Sequence, residues 1–339
     1  MKSITNLYKS AKEIKFDLGD NFVFISDIHK GDGTFYDSFL SNSNIYITAL
    51  SYYYKKDFTY VEIGDGDELW KNRNFSDIAY TYNDVFKILN KFKKENRIYM
   101  IYGNHDIIKK REKFYDNQVK NFKRNESDYC KEFLDFIKDL PFYEGLKFNF
   151  EPVDEDFLVA HGHQVDPINN QYWMVTRFLI RYVWKFLYGL AGFKDPTSPA
   201  KNNIKGNKVD RKLLKWTKDN NRMLICGHTH NSRMPSVDET PYFNDGCCIL
   251  PNAMTAIEIE SGNISLVKWS IEVQESGTLW VRRKTITGPK NISDYLLKAK
   301  EERKNKLLRD AEIEKEINEE KSKGKYKLKI KNRNKDKNK

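Results

Sequence analysis

Five strand-length apolar runs, each passing directly into a cluster of Asp, Asn or His, limit what this chain can fold into. They are Phe22-Val23-Phe24-Ile25, Tyr60-Val61-Glu62-Ile63, Ile98-Tyr99-Met100-Ile101, Phe157-Leu158-Val159-Ala160 and Met223-Leu224-Ile225-Cys226. Short runs of β-branched and aromatic residues bounded by polar punctuation read as strands. Amphipathic segments of helical length lie at about 36–54, 77–94 and 126–140. Strands alternating with helices predict an α/β domain, and in such sheets function gathers beyond the carboxyl ends of the strands.

The pattern changes after His230. Cys247–Leu250, Met254–Ile259, Ile264–Trp269 and Thr278–Thr285 read as further strands, with Glu260-Ser261-Gly262-Asn263 as a hairpin turn. The polar, basic stretch 195–208 (DPTSPAKNNIKGNK) predicts a surface loop. From Ile292 to Glu320, Glu and Lys alternate at helical spacing, as on an exposed charged helix. The organisation expected is a catalytic domain over 1–290 and a charged extension over 291–339.

Charge is confined to that extension. The chain of 339 residues carries a net +11, and Lys321–Lys339 holds ten basic residues against one acidic, a net of +9. The first 320 residues therefore carry only +2, so the body is close to neutral. The tail has the composition of a disordered segment that attracts nucleic acid or anionic lipid non-specifically. Four cysteines (Cys130, Cys226, Cys247, Cys248) form no CxxC pair or disulfide framework and are expected as buried thiols. With no signal peptide or apolar span of about 18 residues, a cytoplasmic protein is expected, with membrane contact only at its periphery.

The polar clusters after the apolar runs are Asp27-Ile28-His29, Gly64-Asp65-Gly66-Asp67-Glu68, Gly103-Asn104-His105-Asp106, His161-Gly162-His163 and Gly227-His228-Thr229-His230. Together they absorb all six histidines of the chain. Oxygen and imidazole donors of this kind suit divalent ions such as Mn, Fe or Zn. Asp27 and His29 are two residues apart, as are His228 and His230. On an extended segment that spacing places both side chains on one face.

The series D-x-H, G-D-x-x-E, G-N-H-D, H-G-H and G-H-T-H, spanning about residues 21–260, resembles the calcineurin-like metallophosphoesterase superfamily. The resemblance implies a four-layer α/β/β/α sandwich, two helix-flanked sheets holding two divalent metal ions, here with a helical insert at about 167–215. Carried over by motif, Asp27, His29, Asp65 and His230 would hold the first metal. Asp65, Asn104, His161 and His228 would hold the second, with Asp65 bridging. His105 would act as acid or electrostatic donor beside the substrate, and Asn244-Asp245-Gly246 is similar to the family's N-x-G turn. Two cations about 3.5–4 Å apart bind a phosphoryl oxygen and turn a bridging water into hydroxide for in-line attack. Manganese is the metal expected first. His163 reads either as a substrate or supporting contact or as a surface histidine.

Departures from known branches bear on the substrate. Where protein phosphatases of the superfamily carry G-D-x-V-D-R-G, this chain has Gly64-Asp65-Gly66-Asp67-Glu68-Leu69-Trp70, without the arginine. The Glu68-Leu69-Trp70 and His161–Asp166 stretches resemble the UDP-2,3-diacylglucosamine pyrophosphohydrolase-like branch, although His105 stands where that branch's lipid A enzyme has Arg. Repair-type nucleases also use G-N-H-D. The substrate expected is a nucleotide-linked lipid or another small phosphoester, with nucleic acid and phosphoprotein as alternatives. In 172–187, Arg177, Arg181 and Lys185 recur every four residues within an apolar, aromatic surface that includes Trp173 and Trp184. The segment 172–190 reads as a lid or membrane-surface helix, as a packed helix with snorkelling cations, or as a phosphate grip through Arg177 and Arg181.

Overall fold

The computed structural model describes residues 2–72, 74–122, 129–170, 172–184 and 203–322. Two sheets face each other. The smaller has the order β1 (Lys12–Phe16), β6 (Gly145–Phe150), β7 (Glu155–Ala160), β8 (Leu224–Cys226), β9 (Tyr242–Asn244). The larger runs β12 (Leu279–Asn291), β11 (Asn263–Val273), β10 (Ala253–Glu260), β2 (Phe22–Ile25), β3 (Thr59–Ile63), β4 (Ile98–Ile101), β5 (Phe142–Tyr143). Strands β2 to β5 are parallel neighbours, as are β7 to β9, so the carboxyl ends of both parallel sets gather at one rim.

Period-two alternation explains why the runs are apolar throughout. In β2, Phe22 and Phe24 face the core between the sheets, whereas Val23 and Ile25 face the outer helices. In β7, Phe157 and Val159 point inward and Leu158 and Ala160 outward. A strand buried on both faces has no polar face to show. The larger sheet is covered by the helices Ser43–Lys55, Asn83–Lys94 and Tyr129–Ile137, and the smaller by Lys2–Ser10 and Asn203–Asn220. This is the four-layer sandwich that the motifs implied.

Three local readings change. The predicted helix over 77–94 is two helices, Phe75–Thr81 and Asn83–Lys94, interrupted where Tyr82 packs on Phe39 and its hydroxyl reaches Asp37. Cys247–Leu250 is not a strand: Cys248 N–H donates to the Asp27 carbonyl, and Asn42 Nδ2 donates to the Cys248 and Leu250 carbonyls. Those contacts replace ladder partners. The expected loop over 195–208 is helical from Asn203 onward, and its first part lies outside the described residues, as do Lys185 and the tail from 323. The helix Ile292–Ser322 begins on the domain, with Ile292, Tyr295 and Leu296 buried in the inter-sheet core, and is exposed through most of its remaining length. Cys226, Cys247 and Cys248 are buried free thiols.

Candidate metal centre

All five ligand-bearing loops lie at the rim where the two parallel sets end, and their backbones are bonded to one another. Asp27 N–H donates to the Gly64 carbonyl at 3.1 Å, His29 N–H to the Asp65 carbonyl at 2.9 Å, and Gly227 N–H to the His161 carbonyl at 3.1 Å. The convergence of Asp27 with His29 does not come from strand alternation. Strand β2 stops at Ile25, and Asp27, His29, Asp65, His228 and His230 all have positive φ, between 50° and 68°. Left-handed backbone at non-glycine residues costs of the order of 1 kcal/mol or more each and clusters at functional sites. Here it turns successive ligands inward. A Cβ on Gly103 would collide with Asp65 Oδ1, and one on Gly227 with Ser26 Oγ, so both loops depend on bare backbone.

Three groups of donor atoms, each within 4.8 Å of one another, form around this rim: Asp27–His29–His230, His29–Asp65–His105 and Asp65–His161–His228. Asp65 belongs to two of them. Its Oδ2 lies 3.2 Å from His161 Nε2 and 3.9 Å from His29 Nε2, and Asp27 Oδ1 lies 2.9 Å from His230 Nε2. The ring of His161 is oriented through Nδ1, 2.8 Å from the Ile63 carbonyl, which turns Nε2 toward Asp65. Buried atoms without a hydrogen-bond partner include His29 Nε2, His161 Nε2, His230 Nδ1 and both amide atoms of Asn104. Such orphans are costly unless something binds them, and a hard or borderline cation suits this set of donors. The residues fit divalent metals.

The electrostatics agree. Burial opposes ionisation of Asp65, but the positive charge of His161 and His105 outweighs it and holds the carboxyl far below its ordinary range. Burial likewise disfavours charge on His29, yet Asp27 and Glu68 raise its imidazole to about 10. Burial opposes it at His161 too, and Asp65 and Asp27 raise that imidazole to about 9. Protons here occupy places that a cation would take.

His105 lies beside this cluster. Its ring centroid is 4.7 Å from that of His29, and its backbone N–H donates to Asp65 Oδ1 at 2.8 Å. Glu68 Oε1 sits 2.8 Å from His105 Nδ1, and Trp70 stacks on the imidazole face. Sequence reasoning took Glu68 only as a motif letter. Its partnership with a histidine 37 residues away becomes visible only when β3 and β4 pair. His163 is 1% exposed, with Nδ1 unpartnered and its ring 5.4 Å from that of His161, so the surface reading does not hold.

Behind the ligands lies a support in which the Asn244-Asp245-Gly246 turn joins Ser26, whose part the sequence did not signal. Ser26 Oγ is 2.6 Å from Asp27 Oδ2 and 2.7 Å from Asp245 Oδ1. Asn244 holds the G-H-T-H loop through Nδ2 to the Gly227 carbonyl at 2.8 Å and accepts from Gly246 N–H at 2.9 Å. Glu62, Asp67 and Asp106 form a further carboxylate cluster, but ammonium groups occupy it. Lys109 Nζ lies 2.6 Å from Asp67 and 2.7 Å from Asp106, and Lys30 Nζ lies 3.6 Å from Glu62 and 3.5 Å from Asp67.

The insert packs differently from its pattern. Trp173 is 9% exposed and clusters with Trp70, Tyr102 and Ile107, while Met174, Val175, Phe178 and Tyr182 are exposed. The helix Trp173–Phe178 widens into a π-helical stretch, Leu179–Trp184, so the four-residue stripe is not kept. Arg177 lies over the Trp173 ring at 5.1 Å, and Arg181 donates to backbone carbonyls instead of standing free.

A nest of histidines and carboxylates at the rim of a two-sheet sandwich defines a metal-dependent hydrolase of phosphoric esters. The family model for calcineurin-like phosphoesterases matches residues 21–232, and the chain belongs to that family. Among solved structures, the chain is similar to Vps29 of Chaetomium thermophilum, at 12% identity and a TM-score of 0.35, over 80% of this chain and 98% of that one. No curated protein matches it.

Proposed function

We propose that the chain is a two-metal phosphoesterase that cleaves a phosphoester or diphosphate bond of an amphiphilic or small substrate by in-line displacement. The observation that carries this reading is the place of Asp65 between two groups of donor atoms: it belongs to one with His161 and His228, and its Oδ2 lies 3.9 Å from Nε2 of His29, which belongs to the other with Asp27 and His230. Bound divalent cations, manganese first among those the donors suit, would offset charge on the phosphoryl oxygens and lower the pKa of water. Asp27, His29, Asp65 and His230 would hold one, and Asp65, Asn104, His161 and His228 the other. Glu68 takes Nδ1 of His105. That leaves Nε2 as the atom that can deliver a proton to the leaving oxygen, with the Glu68 carboxylate balancing the imidazolium. The ring is held against Trp70 on one face, which restricts it to one direction of approach.

The exposed apolar face of the helix beginning at Trp173 supports an amphiphilic substrate, because the same helix is packed through Trp173 onto Trp70 and so borders the catalytic imidazole. The test is hydrolysis across a panel of aryl and alkyl diesters, diphosphates, nucleotide-linked lipids and DNA ends, with chelator and with added Mn(II). Activity is expected on esters or diphosphates, abolished by chelator and restored by Mn(II). Hydrolysis indifferent to chelator would refute the metal reading, and a preference for DNA ends would refute the substrate reading.

A further inference from the structure

The turn Glu68–Asn72 brackets His105 from two sides, and the insert holds that turn through the Arg181 side chain and through Trp173 packed on Trp70. On its inner side, Glu68 Oε1 lies 2.8 Å from His105 Nδ1 and the Trp70 ring stacks at 4.1 Å on the imidazole. On its outer side, three of its carbonyls converge on Arg181. Nη2 donates to the Leu69 carbonyl at 2.5 Å and to that of Asn72 at 3.0 Å, and Nε donates to that of Trp70 at 3.0 Å. Within the turn, the backbone supplies Leu69 N–H to Asp67 and Asn72 N–H to Glu68. These bonds set its curvature, and Glu68 N–H, donating to the Lys30 carbonyl at 3.0 Å, ties its first residue to the neighbouring loop. A planar guanidinium with five donors can satisfy three diverging carbonyls at once, which an ammonium on a flexible stem cannot do with fixed direction.

We propose that Arg181 is a positioning residue for His105: by clamping the carbonyls of Leu69, Trp70 and Asn72 it fixes where Glu68 and Trp70 place the imidazole. The insert is thereby a mechanical part of the catalytic centre, reaching it through Arg181 and through the packing of Trp173 on Trp70. In this arrangement the Nε and Nη2 donors of Arg181 are committed to those backbone carbonyls. The proposal rests on the reading of His105 as proton donor, and it extends that reading to a residue whose sequence position suggested a phosphate grip.

The experiment uses full-length, Mn(II)-loaded protein and compares Arg181→Ala, Arg181→Gln and His105→Ala on two diesters of equal charge, one with an aryl and one with an alkyl leaving group. General acid catalysis contributes roughly 10²–10⁴-fold, and imperfect placement of the acid forfeits part of it. Arg181→Ala is therefore expected to lose about tenfold or more in kcat on the alkyl ester and about twofold or less on the aryl ester, with unchanged KM and metal content. Added guanidinium ion at low millimolar concentration is expected to restore the alkyl activity of Arg181→Ala and to leave His105→Ala unaffected. In histidine-labelled, metal-free protein, the imidazole signal lost in His105→Ala should be the one that moves in Arg181→Ala. Arg181→Gln retains a donor and most of the volume and is expected to fall between, which gives a reading if the alanine variant folds poorly. Equal losses on both esters, loss of metal, or an unmoved His105 signal would overturn the proposal. Should His105→Ala itself lose equally on both esters, the acid reading falls and this one with it. A selective loss in His105→Ala beside unselective losses in both Arg181 variants would overturn the positioning role alone.

Discussion

The indole of Trp70 lies over the imidazole of His105, with ring centroids 4.1 Å apart and planes 21° from parallel. A stacked ring leaves the imidazole one open edge, and Glu68 occupies the Nδ1 corner of it. The two residues that confine His105 are thus two apart in one turn, with the Glu68 carboxyl held far below its ordinary range. Burial opposes that ionisation, and the charges of His105 and Lys71 outweigh it.

Trp70 and Glu68 should therefore separate by leaving group. Glu68→Gln keeps the shape and removes the charge that balances an imidazolium, so hydrolysis of an alkyl ester should fall by about tenfold or more, while an activated aryl ester loses little. Trp70→Ala should show the same selectivity and also lose stability, because a buried Trp truncated to Ala costs roughly 3–5 kcal/mol. Steady-state kinetics with paired esters and a melting curve decide. Unselective losses in Glu68→Gln would remove the proton-transfer role from this pair.

Metal content tests the sharing of Asp65. Asp65→Asn should bind less metal at both positions and lose activity, whereas His161→Ala should lose mainly one equivalent. Elemental analysis and titration calorimetry of the purified variants give the stoichiometry. Two tightly held ions in Asp65→Asn would rule out a bridging carboxylate.

The sequence exposed the centre better than its supports, for a physical reason. Ligands sit directly after strands, so local patterning marks Asp27, Asp65, Asn104, His161 and His228 where they stand. Strand β6, Gly145–Phe150, and strand β1, Lys12–Phe16, carry only alternating apolar residues among charged ones and were not distinguished from loops. Ser26 and Asp245 meet across 219 residues, Arg181 reaches carbonyls 109–112 residues away, and Lys109 pairs with Asp67 and Glu62 as well as with Asp106. Local pattern marks Asp245 only as the middle of the N-x-G turn and Arg181 only as part of a basic stripe, and shows the partners of neither. The two-residue spacing of Asp27 and His29 pointed to the right convergence through the wrong geometry, since left-handed backbone and not strand pleating achieves it.

Asp245 gives a pH-dependent prediction. One hydroxyl hydrogen on Ser26 cannot serve both Asp27 and Asp245, and burial, with the Asp27 charge beside it, pushes the Asp245 carboxyl well above its ordinary range. A neutral Asp245 can donate to Ser26, freeing the single Ser26 hydroxyl hydrogen for Asp27. A folded-state pKa above the unfolded one means that the unfolded chain releases this proton first. The stability contribution is fully present below the unfolded value, about 3.9, and is lost as pH rises toward the raised folded value. Asp245→Asn, neutral at every pH, should gain melting temperature relative to the parent as pH rises from about 4 to 8, measured in chelator. A difference that stays flat over that range would show that Asp245 is ionised in the folded protein.

The exposed face of the insert supplies the last test. Phe178 is 59% exposed and Met174 58%, on a helix whose opposite side is anchored by Trp173. If that face meets the apolar part of an amphiphilic substrate, Met174→Ser with Phe178→Ser should raise KM for a lipid-linked phosphoester by several-fold, since a buried large apolar side chain is worth roughly 1.5–3 kcal/mol. A small soluble ester should be hydrolysed as before, because neither residue reaches the imidazole or the ligands. Arg177→Glu, beside them on the Trp173 ring, should instead weaken anionic substrates of either size, and more strongly at low salt, where charges are least screened. Deleting the tail from Lys321 should leave all of these differences in place. Kinetics with the lipid in mixed micelles and the small ester in buffer measure both arms. Equal KM values for parent and double variant on the lipid substrate would show that the apolar face has no part in substrate binding.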